Sequence, residues 1–422
     1  MKLSINKSNL TGKISVPGSK SHTIRAVAVA MMADGISKIY NPLISEDAES
    51  CLKAAELLGA KVKIEENLWT ITGINGKLKN PNEIIDLGNS GTSLRILAGL
   101  AATADFAITF DGDESLRSRP MHQLLDALEN LGVEINSNNG KCPVTIKGPI
   151  KGGKTKVDGT SSQFLTSLLF STPLAKEDSI ITVDNLNEKP YAEITLDWLK
   201  KQNIKFDYND DLSVFEVKAN QKYNPYESTI PADFSTATFP LIASAVTKSK
   251  IEIQNLDFSD KQGDKEVFKY LEKMGLEISI GEKSTIVNYT KPLKGVEIDL
   301  NATPDALPAM AVVACFAKGE TKLYNVAQAR IKETDRIKCM TCELRKMGAD
   351  IEELEDGMII KESKLHSAEL KGYDDHRIVM ALAIAGMGMN EEITINGAEA
   401  ASVTYPNFIK DFKILGANLE EG

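Results

Sequence analysis

The sequence predicts an α/β protein made of about six similar units, three in each of two pseudo-symmetric domains. Its 422 residues exceed what one hydrophobic core usually organises, so two domains are expected. An apolar, Ala-rich helix followed by a turn and a β-rich strand recurs about six times along the chain. After each copy of this helix and strand come a second, amphipathic helix and a further strand. A whole α/β unit is therefore repeated; the alternative is a chance recurrence of Ala-rich helices.

The first helix of each unit is apolar on all sides, which predicts that it is buried. The six copies read RAVAVAMM, RILAGLAA, FLTSLLFS, FPLIASAV, MAVVACFA and MALAIAGM.

The second helix of each unit is amphipathic, so we expect one of its sides to face solvent. Gly59, Gly132, Gly275 and Gly348 stand where four of these helices should end, and Asn203 takes that place in a fifth. Gly and Asn tolerate the left-handed conformation that ends many helices. These residues therefore predict the helix ends.

The composition excludes several classes of protein. Hydrophobic residues make up 42% of the chain and charged residues 26%, which is typical of a soluble globular protein. The net charge is −10 and no basic stripe is present, so nucleic acid is not an expected partner. No apolar run is long enough to cross a membrane, and the N-terminus lacks a signal-peptide core. We expect a cytoplasmic protein.

The cysteines do not predict a disulfide framework, because there are five of them at irregular spacings. Cys339 and Cys342 form a CxxC, which can indicate redox or metal chemistry. No second CxxC is present, only four histidines are scattered through the chain, and this pair lies in an amphipathic helical pattern. We therefore expect no metal site.

Polar motifs stand immediately before several predicted buried helices. In VPGSKSHTIRA, Ser19 or Ser21 can cap a helix whose N-terminus attracts anions, and Lys20 and Arg25 add positive charge. In LGNSGTSLR, the second Gly, Gly91, allows backbone N–H groups to approach a phosphate or carboxylate closely. The alternatives are a simple helix cap and a simple turn. Neither motif is a nucleotide phosphate loop.

Two further motifs extend this pattern in the first half. SLRSRPM carries Arg117 and Arg119, and Arg suits bidentate binding of carboxylates or phosphates. VDGTSSQF presents Ser161, Ser162 and Gln163 in a row, more donors than one helix cap needs. Together, these motifs predict a site for a small anion.

The second half combines arginines with carboxylates. Asp305 in TPDALPA stands at a helix start, where N-capping is the alternative to a functional role. Two further motifs carry charged residues near helix starts: ARIKETDRIK has Lys332, Glu333, Asp335 and Arg336, and YDDHR has Asp374, Asp375, His376 and Arg377. The alternative for these two motifs is structural ion pairing.

In order, these motifs resemble the enolpyruvyl transferase family. The resemblance runs from Lys13 to Pro406 and rests on PGSKS, LGNSGT, the Arg-Pro at Arg119, SSQF, KPY at Lys189, KETDR and DHR. It implies transfer of the enolpyruvyl group of phosphoenolpyruvate to the 5-hydroxyl of shikimate 3-phosphate through a tetrahedral adduct. It implies no metal or organic cofactor, and no partners besides these small-molecule substrates. We expect a monomer.

The resemblance also implies the fold in more detail. Each domain should contain three βαβαββ units arranged as an inside-out α/β barrel, and the N-terminal strand should belong with the second half. The expected domains are residues 1–19 with 231–422, and residues 20–230. The second crossing is expected in the Pro-containing stretch from Asn224 to Phe234, and the active site in the cleft between the domains.

The resemblance implies roles for individual residues. Asp305 corresponds to the proton acceptor and Glu333 to the proton donor, with Lys20 as a partner in proton transfer. Lys332 and Arg336 favour the ionised form of Glu333, so its proton has to come from its surroundings. The implied phosphoenolpyruvate-binding residues are Lys20, Gly91, Arg119, Gln163, Arg336 and Arg377. The implied shikimate 3-phosphate-binding residues are Lys20, Ser21, Arg25, Ser161, Ser162, Gln163, Asp305, Gln328 and Lys332.

Three positions depart from the family pattern. Glu188 replaces a frequent Ser, and since a carboxylate repels a phosphate, we expect it to point away or to contact a substrate hydroxyl. Val403 replaces a frequent Lys, which removes one cation, and Gln328 replaces a frequent Asn.

Three other functions are alternatives. Enzymes that transfer enolpyruvyl to UDP-N-acetylglucosamine usually have a reactive Cys in the Arg-Pro loop, and the corresponding loop here, GDESLRSRP, has none. A small-molecule kinase needs a nucleotide phosphate loop, which is absent. A non-catalytic anion-binding protein on the same fold is opposed by the presence of Lys20, Asp305, Glu333 and Arg377.

Overall fold

The computed structural model describes residues 1–422, which form 24 strands and 13 α-helices. The chain divides into two compact units. Unit I contains Met1–Pro17 and Pro231–Gly422, and unit II contains Gly18–Ile230. The first crossing thus lies at residues 17–18, where the sequence suggested 19–20. The second lies at residues 230–231, within the Pro-containing stretch.

The strands are short, and most have three to six residues. They are β1 (Lys2–Asn6), β2 (Thr11–Ser15), β3 (Ile36–Tyr40), β4 (Lys61–Glu65), β5 (Leu68–Thr72), β6 (Ile85–Asp86), β7 (Ile108–Asp111), β8 (Glu134–Ser137), β9 (Val144–Lys147), β10 (Gly153–Asp158), β11 (Ser179–Asp184), β12 (Phe206–Tyr208), β13 (Val214–Val217), β14 (Glu227–Thr229), β15 (Lys250–Gln254), β16 (Glu277–Ile280), β17 (Ser284–Asn288), β18 (Glu297–Asp299), β19 (Glu320–Tyr324), β20 (Ile351–Leu354), β21 (Gly357–Lys361), β22 (Glu369–Lys371), β23 (Ile393–Asn396) and β24 (Asn418–Glu421).

The helices alternate with these strands. They are α1 (Lys20–Met32), α2 (Glu46–Leu57), α3 (Gly91–Ala101), α4 (Glu114–Ser118), α5 (His122–Asn130), α6 (Ser162–Ser171), α7 (Lys189–Lys201), α8 (Phe234–Thr247), α9 (Glu266–Met274), α10 (Leu307–Cys315), α11 (Arg336–Lys346), α12 (His376–Met387) and α13 (Phe408–Ile414).

Six four-stranded sheets confirm the βαβαββ repeat. In the sheet β10-β11-β13-β12, the strands β10 and β11 are parallel and flank α6, while β12 and β13 form an antiparallel hairpin after α7. The sheets β6-β7-β9-β8 and β18-β19-β21-β20 have the same order. A parallel pair needs a helical crossover and an antiparallel pair needs only a turn, so the order follows from the connections.

The other three sheets are completed by strands distant in sequence. In unit I, β1 lies between β23 and β24, and β2 pairs with β15. In unit II, β14 pairs with β3. The expected N-terminal strand is therefore two strands, which serve two different sheets of unit I.

The first helix of each repeat is buried, as its apolar surface predicted. These helices are α1, α3 and α6 in unit II, and α8, α10 and α12 in unit I. In unit I all three pack on one another, and in unit II α3 packs against both α1 and α6. Each unit has a separate hydrophobic core, and the sheets alternate buried and outward-facing side chains around it. This is the expected inside-out arrangement.

The second helices end where the sequence predicted. Gly59, Gly132, Gly275, Gly348 and Asn203 all have positive φ, between 57° and 115°. The sequence pattern did not include a sixth second helix, α13, which ends before Gly416 with φ of 101°.

The buried helices bring the polar motifs to their N-termini. Each N-terminus leaves backbone N–H groups without helical partners, which favours nearby anions and polar oxygens. The motifs at residues 19–21, 89–92 and 161–163 precede or begin α1, α3 and α6 in unit II, and those at residues 304–305 and 374–377 precede or begin α10 and α12 in unit I. None of the helices combines the length and the apolar character needed to span a membrane.

Candidate active site

Lys20 begins α1 and forms an ion pair with Asp47. The Lys20 Nζ lies 3.1 Å from Asp47 Oδ2, and both side chains are largely buried. Ser19 occupies the N-cap position, but neither its hydroxyl nor that of Ser21 makes the predicted cap bond. The prediction of a side-chain cap was therefore wrong, and the buried Ser19 hydroxyl makes no hydrogen bond within the protein.

Arg25 lies one turn further along α1 and is 1% exposed. Its guanidinium donates to the hydroxyls of Thr195 and Thr166 at 3.0 and 3.2 Å and to the carbonyls of Ser21 and Tyr191 at 2.9 and 3.1 Å. Burial lowers its pKa to about 10, although Tyr191 opposes this shift. Four of its five N–H groups thus hold α1, α6 and α7 together.

Gly91 and Arg119 come together, as expected for one anion site. A Cβ at Gly91 would lie 2.6 Å from Arg95 Nη1 and 2.9 Å from Arg119 Nη1, which is closer than such contacts allow. Arg119 also donates to Asn89 Oδ1 and to Ser115 Oγ. Arg117 instead pairs with Asp111 at the surface, so the structure does not bring it to this group.

The motif at residues 161–163 begins α6. The Ser161 hydroxyl caps the helix by accepting from the Gln163 N–H. Gln163 in turn accepts from Arg95 at 2.7 Å and donates to Thr92 at 3.1 Å. Gln163 therefore links the starts of α3 and α6.

Glu188 does not point away from this motif. Its side chain is buried, and its Oε2 accepts from the Ser162 hydroxyl at 2.8 Å. Its backbone is left-handed, with φ of 54°, at the N-cap of α7. That it points away from the substrate phosphate or contacts a substrate hydroxyl stays a prediction, and its carboxylate lies at the N-termini of α6 and α7, which favour negative charge.

In unit I, Arg336 holds three carboxylates. Its guanidinium donates to Asp305 at 2.8 Å, to Glu333 at 2.6 Å, and to both oxygens of Asp375 at 2.7 and 3.3 Å. Arg377 approaches the other oxygen of Asp305 at 2.9 Å. The ion pairing considered for these motifs is therefore present, and it brings three carboxylates and two arginines together. Asp335 of the same motif lies outside this cluster, since it pairs with Arg330 and caps α11.

These contacts determine the charge of Asp305. Burial alone would raise the pKa of this carboxyl, but Arg377, Arg336 and Lys332 together hold it well below its usual range. Burial opposes the charge of Arg336, yet Asp375, Glu333 and Asp305 raise its pKa well above the ordinary value. Asp305 lies in the turn Pro304–Ala306 and does not cap α10, so the N-capping alternative is wrong.

Lys332 and Gln328 flank this cluster. Gln328 is buried and donates to the Asn301 carbonyl at 3.0 Å. Lys332 follows the 3-10 turn Ala327–Ile331 and is one of the cations that lower the pKa of Asp305. Both residues thus lie on loops beside the start of α10.

Sequence reasoning missed four residues of these clusters. Arg95 and Asp47 gave no signal beyond their positions near helix starts. Asp375 was visible in YDDHR but had no implied role. Ser235, which accepts from Arg377 at 2.8 Å, follows the N-cap Asp233 of α8, and comparison of the six helix starts could have indicated it.

The CxxC does not form a disulfide. All five cysteines are free, with Cys339 buried and Cys342 exposed. No group of three His, Cys, Asp or Glu side chains is arranged to hold a metal ion.

The sequence matches a family model over most of its length. Residues 5–412 match the model described as EPSP synthase (3-phosphoshikimate 1-carboxyvinyltransferase). A relative from Acetivibrio thermocellus named 3-phosphoshikimate 1-carboxyvinyltransferase is 48% identical over 421 residues, covering 99% of both chains. A relative of the same name from Methanocaldococcus jannaschii is 44% identical and covers 97% of both chains.

The fold resembles solved structures. The structure of EPSP synthase from Acinetobacter baumannii has a TM-score of 0.84 to this chain, with 26% identity and 99% coverage of both chains.

Proposed function

Because this chain belongs to the EPSP synthase family, we propose that it transfers the enolpyruvyl group of phosphoenolpyruvate to the 5-hydroxyl of shikimate 3-phosphate and releases phosphate. One structural observation supports the chemistry directly. Arg336 donates to both Asp305 and Glu333, and Arg377 pairs with Asp305, so two carboxyl groups and two cations form one cluster. Such a cluster suits the addition of an alcohol to an enol phosphate, which needs a base for the hydroxyl, an acid for the methylene carbon and cations for the substrate charges.

Both substrates are anions, and each unit contributes cations or helix N-termini for them. Unit II supplies Lys20, Gly91, Arg119 and Gln163 for phosphoenolpyruvate, and unit I supplies Arg336 and Arg377. Arginine suits the carboxylate and phosphate groups because its planar donors bind two oxygens at once. The proposed shikimate 3-phosphate residues are Lys20, Ser21, Arg25, Ser161, Ser162, Gln163, Asp305, Gln328 and Lys332.

Asp305 is the proposed base for the attacking hydroxyl. Its low pKa makes it a weak base, because Arg377 and Arg336 stabilise its charge. When phosphoenolpyruvate occupies these arginines, their attraction for Asp305 is shared with the substrate. The pKa of Asp305 then rises toward the range that general-base catalysis favours.

Glu333 is the proposed acid. It donates a proton to the methylene carbon of phosphoenolpyruvate while the 5-oxygen bonds to the neighbouring carbon and Asp305 takes the hydroxyl proton. In the resulting tetrahedral adduct, the methyl group returns a proton to the Glu333 carboxylate as the carbon–oxygen bond to phosphate breaks. The leaving phosphate takes the proton that Asp305 received, which restores both carboxyl groups. Lys20, paired with Asp47, is the proposed partner in these proton transfers. Neither step uses a metal or an organic cofactor.

The first experiment measures phosphate release from phosphoenolpyruvate and shikimate 3-phosphate, with a chelator and without added metal. Release is expected, and replacing shikimate 3-phosphate by UDP-N-acetylglucosamine should abolish it. Release with the sugar nucleotide alone would assign the chain to the sister reaction.

A variant tests the base. Asp305→Asn keeps the shape of the side chain and removes its basicity, so kcat should fall by about 100-fold to 10,000-fold. The matched control is Asp350→Asn, an exposed aspartate of unit I that lies 3.6 Å from Lys361 and should keep normal kcat. Near-normal turnover of Asp305→Asn would exclude Asp305 as the base. The cytoplasmic location and the monomeric state remain predictions, and size-exclusion chromatography tests the second.

A further inference from the structure

The turn that precedes α12 has an unusual backbone. Tyr373 and Asp374 both have left-handed φ, 57° and 54°, and neither is glycine. For a bulky residue this conformation is unfavourable and persists only where the surroundings hold it. The contacts of this turn therefore indicate what it does.

Glu343 on α11 holds the turn. Its side chain is fully buried, and its Oε1 accepts from the Tyr373 hydroxyl at 2.6 Å while its Oε2 accepts from the Lys371 N–H at 3.0 Å. Lys346 donates to both oxygens at 2.8 and 2.9 Å. Burial and the Glu343 carboxylate raise the pKa of Tyr373, so its hydroxyl stays a donor. The carboxylate thus binds the residues on both sides of Gly372.

The turn, residues 373–375, ends at Asp375, which contacts both site arginines. It accepts two hydrogen bonds from the Arg336 guanidinium, and it caps α12 by accepting from the Arg377 N–H at 2.9 Å. A shift of the turn would therefore move Asp375, and with it the Arg336 guanidinium and the start of α12.

We propose that Glu343 and Tyr373 are positioning residues that hold Arg336 and Arg377 for phosphoenolpyruvate through the 373–375 turn. This inference rests on the proposed function. Glu343 is buried and its oxygens are occupied, so it acts through Tyr373 and Asp375 and not on the substrate. The CxxC helix thereby has a role that needs neither metal nor disulfide, because α11 carries both Arg336 and Glu343.

The experiment compares KM values in the phosphate-release assay for Tyr373→Phe, Glu343→Gln and Glu343→Ala. For Tyr373→Phe we expect KM for phosphoenolpyruvate to rise roughly 10-fold, within the range that misplaced binding groups produce. KM for shikimate 3-phosphate should change less than about 2-fold, since most of its proposed residues lie in unit II. Glu343→Gln keeps one acceptor oxygen, so its effect should be smaller than that of Glu343→Ala.

The matched control is Tyr223→Phe. Tyr223 is buried in unit II, and its hydroxyl donates to the Phe170 carbonyl at 2.8 Å. This variant should lower Tm and leave both KM values unchanged, which is the signature of a purely structural hydroxyl. Because the two single variants share the Tyr373–Glu343 hydrogen bond, their effects on KM for phosphoenolpyruvate should be less than additive in the double variant Tyr373→Phe with Glu343→Gln.

Two results would overturn the proposal, and they are distinguishable. If the unmodified protein releases phosphate and Tyr373→Phe shifts both KM values equally or neither, the positioning role alone is wrong. If the unmodified protein releases no phosphate, the proposed function fails and the positioning role fails with it.

Discussion

Arg336 is the residue around which unit I organises its charges. Its side chain is 1% exposed, and a guanidinium buried to this degree is tolerated only when carboxylates compensate its desolvation. Asp305, Glu333 and Asp375 do so. The charges within the cluster therefore compensate one another, and an anionic substrate has to exchange partners with the carboxylates.

The ion pairs of Asp305 with Arg336 and Arg377 have a predictable effect on stability. Because its folded pKa lies below the ordinary value near 4, its charge stabilises the protein above about pH 4, and this contribution is lost as pH falls through the folded pKa. Asp305→Asn should lower the free energy of unfolding by about 1–3 kcal/mol at pH 7. Urea denaturation should show this difference shrinking below pH 4.

The control for that measurement is Asp350→Asn, an exposed aspartate expected to change stability by less than about 0.5 kcal/mol. A stability difference for Asp305→Asn that is the same at pH 3 and pH 7 would show that its charge does not contribute.

Glu188 allows a second prediction at this scale. Its carboxylate accepts from Ser162, a proposed ligand of shikimate 3-phosphate, so it places a negative charge beside a doubly charged substrate. Two charges a few ångströms apart interact by a few kcal/mol at an effective dielectric constant of about 20. Glu188→Gln removes the charge and keeps the shape, and KM for shikimate 3-phosphate should fall about 5-fold or more.

The matched control is Glu193→Gln, an exposed glutamate on the same helix, which should leave this KM unchanged. A rise in KM for Glu188→Gln would show instead that the carboxylate accepts a hydrogen bond from a substrate hydroxyl.

At the scale of elements, hydrophobic periodicity predicted the helices well. The six buried helices and five of the second helices follow directly from it, because side chains on a buried helix have to be apolar. The pattern missed α13, which has seven residues and buries only Phe408 and Phe412. A helix with so few buried side chains produces almost no periodic signal.

Strand pairing was less predictable than helix position. The pairing of β1 with β23 and β24 joins residues separated by nearly the whole chain, and no local pattern specifies such a partner. Only the family resemblance indicated that the N-terminus belongs with the second half. It did not indicate that β1 and β2 enter different sheets.

The pairing predicts the effect of a core substitution in β1. Ile5 is fully buried in the core of unit I, on a strand with a partner on each side. Ile5→Ala should cost about 2–5 kcal/mol, measured by urea denaturation. Ser4→Ala is the matched control on the opposite face of the strand, with an expected change below about 0.5 kcal/mol. Equal stabilities of the two variants would contradict this role for β1.

At the scale of the whole molecule, the repeat explains why the site residues are scattered in sequence. Each repeat places a polar segment at the start of a buried helix. Motifs that are far apart in sequence therefore occupy equivalent positions in the repeated units. The sequence therefore predicted most of the residues, namely the motifs themselves. It did not predict their partners, such as Asp47 for Lys20 or Asp375 for Arg336, because ion pairs depend on packing that no short motif encodes.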